Sequence, residues 1–118
     1  MAHTCEAVVV HCIDFRLQHF LNDWLEQRLG KQNYDRIAWA GGVKDFPAVQ
    51  SQVEISQRRH QVKKVILINH EDCGAYGSAG TRDRHASDLA YAELVIKSLF
   101  LEVEKYYLHL NGEFERIP

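Results

Sequence analysis

Apolar residues follow two rhythms along this chain: short unbroken runs, and longer stretches in which they recur at helical spacing. Ala7-Val8-Val9-Val10 and the segment from Val62 to Asn69, built around Val65-Ile66-Leu67-Ile68, have no polar alternation. Such runs fit strands covered on both faces, as in a parallel sheet. Between them, Leu17, Phe20, Leu21, Trp24, Leu25 and Leu29 mark one face of a helix that Gly30 should end. Arg36 to Ala40 reads as a weaker strand running into Gly41-Gly42. Asp45 followed by Phe46-Pro47 resembles a helix opening, with Phe46, Val49 and Val53 on the buried side, Ile55 off that stripe and an end near Gln61. From Ser87 the positions Leu89, Ala92, Val95, Ile96, Leu99, Phe100, Val103, Tyr106, Tyr107 and Leu110 keep helical spacing, so one long helix over 87–110 is expected, with Gly112 to Pro118 as a tail. This order predicts a small α/β fold: a mainly parallel β-sheet flanked by helices, with its functional loops at the carboxyl ends of the strands.

Length and charge narrow the classes of function. At 118 residues the expectation is one domain over residues 1–118, with a single core and no room for a second catalytic module. Fourteen Lys and Arg face 16 Asp and Glu, and the basic residues are scattered apart from Arg58-Arg59 and Lys63-Lys64. That pattern is not a nucleic-acid footprint, and no nucleic-acid partner is expected. The opening Met1-Ala2-His3-Thr4 has no charged region leading into an apolar stretch, and no run reaches membrane-span length, so a cytoplasmic protein without a membrane partner is expected. Three cysteines without a secretory signal argue for reduced thiols available to a metal.

Two strand ends carry the chemistry. Cys12-Ile13-Asp14-Phe15-Arg16 follows the first apolar run, and His70-Glu71-Asp72-Cys73-Gly74 follows the second. If those strands are neighbours, Cys12, His70 and Cys73 converge. Two thiolates and one imidazole are three ligands for Zn²⁺, and three protein ligands with one exchangeable position describe a catalytic zinc site. In an extended segment residues 12, 14 and 16 share a side. Arg16 can then hold the Asp14 carboxylate through a charge-assisted pair and keep it ionised beside the metal, either as a fourth ligand or as an acceptor for bound water. Ordinary roles compete with these: a buried thiol at a strand end for Cys12, a surface ion pair for Asp14 and Arg16, a core imidazole for His70. The combination outweighs them. Cys5 is left over as an ordinary thiol with no visible partner, and His3, His11, His19, His60, His85 and His109 read as solvated or structural. Glu71 and Asp72 read as turn-shaping or solvent-facing, and Phe15, Phe46, Trp39 and Tyr76 as pocket wall or core.

Cys-x-Asp-x-Arg followed by His-x-x-Cys-Gly resembles the β-class carbonic anhydrases, and Ala40-Gly41-Gly42 resembles the family's turn between those motifs. The resemblance implies reversible hydration of CO₂ to bicarbonate. Cys12, His70 and Cys73 would hold zinc, and the Asp14–Arg16 pair would accept the hydrogen of a zinc-bound hydroxide and orient it. It also implies a homodimer or higher homo-oligomer with the active cleft at the subunit interface. Read as a short member without the family's N-terminal helical arm, the chain should need that dimer even more. Where the family has Arg-Asn before its turn, this chain has Ala38-Trp39, so a polar contact is lost and an indole reshapes the pocket. Two other readings share the residues. One is hydrolysis of CS₂ or carbonyl sulfide on the same scaffold, and the other is a non-catalytic zinc-stabilised assembly module closed by Asp14.

Overall fold

The computed structural model describes residues 3–118. Its elements run β1 (Ala7–His11), α1 (Gln18–Leu29), β2 (Tyr34–Ala38), α2 (Phe46–His60), β3 (Lys64–His70), a 3₁₀ turn (Gly77–Ala79), α3 (Arg82–Lys97), β4 (Glu102–Leu108) and β5 (Phe114–Ile117). The five strands form one sheet in the order β2-β1-β3-β4-β5. β1 pairs in parallel with both β2 and β3, β3 in parallel with β4, and β5 returns antiparallel to β4.

Strand alternation sorts the core into two layers. Val8, Val10, Val65 and Leu67 point to one face and pack with Val49 and Val53 of α2 and Leu89, Ala92 and Ile96 of α3. Val9, Ile66 and Ile68 point to the other and meet Leu21 and Leu25 of α1. Because both faces are covered, β1 is buried at all five positions, which accounts for its lack of alternation. Each such aliphatic side chain contributes about 1.5–3 kcal/mol through burial. Truncating the fully buried Leu25 to Ala should cost about 2–5 kcal/mol.

The expected strands and first two helices form, with shifted ends. β2 lies two residues earlier than expected, and Trp39 leaves the strand while its N–H still donates to the His11 carbonyl at 2.8 Å. Asp45 makes no side-chain cap, so α2 begins on Phe46-Pro47 without one.

The single helix over 87–110 does not form. α3 starts earlier, where the Thr81 hydroxyl accepts from the Arg84 N–H, and it ends at Lys97. The chain then reverses through Phe100, whose φ of 63° is left-handed, and enters β4. Spacing misled here because the polar residues of β4 are buried as ion pairs. Glu104 sits with Arg28 and Lys64 at 2.9 Å each, and Lys105 reaches Glu93 at 2.9 Å. The open edge of β3 needs a backbone partner, and that tertiary demand overrides the local pattern. The segment expected as a tail contributes β5, which covers the outer edge of β4.

Candidate metal centre

β1 and β3 are adjacent and parallel, with His11 level with Ile68, so the residues that follow them emerge side by side. Cys12 leaves the end of β1, His70 ends β3, and Cys73 lies one turn beyond it. Their donor atoms lie within 4.8 Å of one another. The two sulfurs are 4.0 Å apart and unbonded. Tetrahedral zinc with Zn–S bonds of about 2.3 Å would hold two sulfurs roughly 3.8 Å apart.

The local backbone fixes each donor. His70 Nδ1 donates to the Glu71 carbonyl at 2.7 Å, which leaves Nε2 as the lone-pair nitrogen. That Nε2 is buried without a hydrogen-bond partner. An orphaned buried nitrogen costs about 1–3 kcal/mol, and a cation between it and the sulfurs would remove that cost. The Gly41 N–H donates to Cys12 Sγ at 3.3 Å. The turn that delivers it cannot carry a side chain at Gly42, where a Cβ would stand 2.3 Å from Asn69 Oδ1. Asn69 in turn pins the turn by accepting from the Val43 N–H at 3.1 Å. The Cys73 carbonyl accepts from the N–H groups of Tyr76 and Gly77, so the loop folds back over the cluster.

Electrostatics divide the two thiols. Burial opposes ionisation of Cys12, but the neighbouring His70 imidazole and the Gly41 N–H outweigh this and bring the thiol down to about 7. Burial pushes the Cys73 thiol up. Burial likewise disfavours the charged form of His70, yet contact with Cys12 raises it on balance.

Asp14 and Arg16 lie beside the cluster as expected. Arg16 Nη2 meets Asp14 Oδ2 at 2.7 Å, Nε spans both carboxylate oxygens, and the Arg16 backbone N–H adds a bond at 2.9 Å. These bonds hold the Asp14 carboxyl down to about 2, and its Oδ2 is 3.9 Å from His70 Nε2. Arg16 is also tied across the site. Nη1 donates to Asp72 Oδ2 at 3.0 Å and Nη2 to the Asp72 carbonyl at 2.9 Å. Asp72 shapes the turn and faces solvent, as expected, and in addition braces the pair, a contact that its sequence position did not signal. Its backbone is in the left-handed region (φ 57°), which turns the carbonyl toward Arg16. On either side of Asp14 in the chain, Phe15 is 86% and Ile13 59% exposed, and Trp39, just before the Gly41–Gly42 turn, is partly exposed. Tyr76 is buried and its hydroxyl donates to Asp88 at 2.7 Å, so it packs the loop.

Comparison with known proteins agrees with this architecture. Residues 2–117 match the sequence profile of the family described as "Putative carbonic anhydrase". An uncharacterized protein of Rickettsia conorii is 26% identical over 131 residues, covering 93% of this chain and 70% of that protein. Among solved structures, the carbonic anhydrase from Glaciozyma antarctica superposes with a TM-score of 0.73 at 19% identity, over 100% of this chain and 85% of that one. One of the tetrameric β-carbonic anhydrases from Sordaria macrospora gives 0.62 at 15% identity, over 98% and 82%. The apo form of a carbon disulfide hydrolase gives 0.59 at 13% identity, over 99% and 80%. The chain belongs to the carbonic anhydrase family, and its fold is that of the β-class enzymes.

Proposed function

We infer that this protein is a zinc enzyme that interconverts CO₂ and bicarbonate. The observation that carries this reading is the convergence of Cys12, His70 and Cys73 around a buried nitrogen without a partner. Two soft sulfurs and an imidazole suit Zn²⁺ and leave one tetrahedral position for solvent. Bound there, zinc would acidify a coordinated water and so provide a nucleophile near neutral pH.

The chain's own residues supply orientation. Asp14, ionised throughout the physiological range, is an acceptor only, so it would take a hydrogen from the solvent position and fix the direction of the remaining lone pairs. Arg16 occupies both Asp14 oxygens and, through Asp72, keeps the carboxylate from swinging into full coordination. Glu71 holds the His70 ring in the tautomer that presents Nε2. Phe15, Ile13 and Trp39 are exposed apolar side chains on the segments that carry the site, and a second copy of the chain covering them would give a pocket wall suited to a nonpolar gas.

Hydrolysis of CS₂ or carbonyl sulfide is the second reading. It is favoured by the structural likeness to a carbon disulfide hydrolase, and it would use the same residues in the same roles. Metal analysis combined with stopped-flow CO₂ hydration from about pH 6.5 to 9 tests the primary reading. Expected is one zinc per Cys12–His70–Cys73 cluster and a rate that rises through that window. Full metal occupancy with CO₂ turnover at background but CS₂ turnover above it would replace the first reading by the second. Background rates on both would leave a zinc-stabilised assembly module.

A further inference from the structure

The opposite end of the sheet carries a second convergence of sulfur, imidazole and carboxylate. Cys5 leads into β1, Asp35 is the second residue of β2, and His60 ends α2. Their donor atoms also lie within 4.8 Å of one another. Backbone bonds hold the three segments together: the Cys5 N–H donates to the His60 carbonyl at 3.2 Å, and the Glu6 N–H to that of Asn33 at 3.0 Å. His60 Nδ1 donates to Asp35 Oδ2 at 2.6 Å, and the Ser56 hydroxyl donates to the same oxygen at 2.7 Å. No hydrogen bond among the described residues falls on the other Asp35 oxygen. All three residues are half-buried and, with His3 and Tyr34, line a cleft of about 280 Å³; Asp35 and His60 also border a larger cleft of about 490 Å³.

We propose that Cys5, Asp35 and His60 form a second binding site for a thiophilic divalent cation of the Zn²⁺ class, separate from the Cys12–His70–Cys73 centre.

Four features carry it. The donor set is mixed S, N and O, the combination that zinc accepts and that hard cations such as Mg²⁺ and Ca²⁺ do not seek. A carboxylate on an imidazole N–H, as between Asp35 and His60, is the arrangement that orients a metal-binding histidine. Alternatively a cation replaces the proton between them, which needs only a small opening of the 2.6 Å contact. Asp35 stands beside the Cys5 thiol, so the two repel as anions and a shared cation relieves that repulsion. The carboxyl end of the 15-residue helix α2 also adjoins the cluster, and the negative end of its dipole favours positive charge. The two guanidinium groups, Arg36 and Arg59, border the larger cleft, and that of Arg36 is engaged by His11 and Asn22. The ring of His3 lies 4.9 Å from that of His60, centroid to centroid, and is the nearest imidazole able to complete the coordination.

The test is Co²⁺ titration of the chelator-stripped full chain, followed by sulfur-to-cobalt charge-transfer absorption and elemental analysis. Expected are two spectrally distinct binding events, one with two-thiolate intensity and one with single-thiolate intensity. Cys5→Ser should abolish only the weaker band, and Cys73→Ser should alter only the stronger one. His60→Gln should lower affinity at the weaker site by about tenfold or more, without changing the circular dichroism of the fold. Absence of any Cys5-dependent band overturns the proposal, whatever the first centre does. A single event that disappears in Cys5→Ser would support it and would instead remove metal from the first centre. In the unaltered chain, mass-spectrometric mapping of alkylation gives an independent readout. Zinc in excess of one equivalent should slow modification of Cys5, and unchanged reactivity sinks the proposal.

Discussion

The two ends of this sheet bear the same kinds of donor in different states. At the carboxyl end the sulfurs are buried 4.0 Å apart, and His70 Nε2 faces them with no partner. At the amino end Asp35 already satisfies His60 and Ser56, and the group is half open to solvent. The first arrangement stores an unmet hydrogen-bonding demand that a cation would meet. The second already has its hydrogen bonds made, so an ion gains less there. Residue type alone therefore does not rank two candidate metal centres; what else the donors are bonded to does. The carboxyl-end centre should fill first and hold its ion longer.

Removing a donor from the carboxyl-end centre gives the largest expected effect. Cys12→Ser, His70→Ala or Cys73→Ser should each reduce bound zinc to near zero and CO₂ hydration to background, measured by elemental analysis and stopped flow. Next, Asp14→Asn should keep the metal but lower turnover by about 10²–10⁴-fold, because an amide no longer serves as an acceptor only. Equal zinc loss in Asp14→Asn and His70→Ala would mean that Asp14 is a ligand. Asp72→Ala releases one end of Arg16 and should cost about tenfold to a hundredfold in turnover while leaving metal content unchanged.

Glu104 lies away from both centres and separates folding from chemistry. Burial raises its pKa, but hydrogen bonds from Arg28, Lys64 and Tyr106 outweigh this and hold it down to about 2. Since the folded value lies below the unfolded value of about 4.3, this stabilisation is complete above about pH 4.5 and is lost as pH falls toward 2. Glu104→Gln should destabilise the fold by about 3 kcal/mol at neutral pH and flatten the acid limb of chemical denaturation. Cys5→Ser is the smallest of the series. Its stability should change by no more than about 1 kcal/mol in zinc-free buffer, with the difference widening when excess zinc is present.

Much of the carboxyl-end geometry was legible in the sequence because uninterrupted apolar runs fix β1 and β3, and the parallel sheet then brings residues 12, 70 and 73 together. The brace from Asp72 was not legible, since it depends on a left-handed backbone at a residue whose type does not demand one. The Asn69 contact that shapes the Gly41–Val43 turn was hidden for a similar reason: it joins loops 26 residues apart and leaves no periodic trace. The amino-end cluster joins residues drawn from a lead-in, a strand and a helix terminus, and no short motif spans them. The helix expected over 87–110 failed because buried ion pairs in β4 imitate an amphipathic pattern, and only the need to complete the sheet distinguishes the two.

The arrangement of β5 has a consequence for how the molecule comes to exist. β4 and β5 are antiparallel neighbours joined by the short link 109–113, so they can zip together early at little entropic cost. Cys12 and Cys73 are 61 positions apart and meet only after β1 and β3 have aligned through a helical crossover. Competence to capture the ion is therefore among the last properties the newly made chain acquires, and uptake of the metal would serve as a clock marking the end of folding.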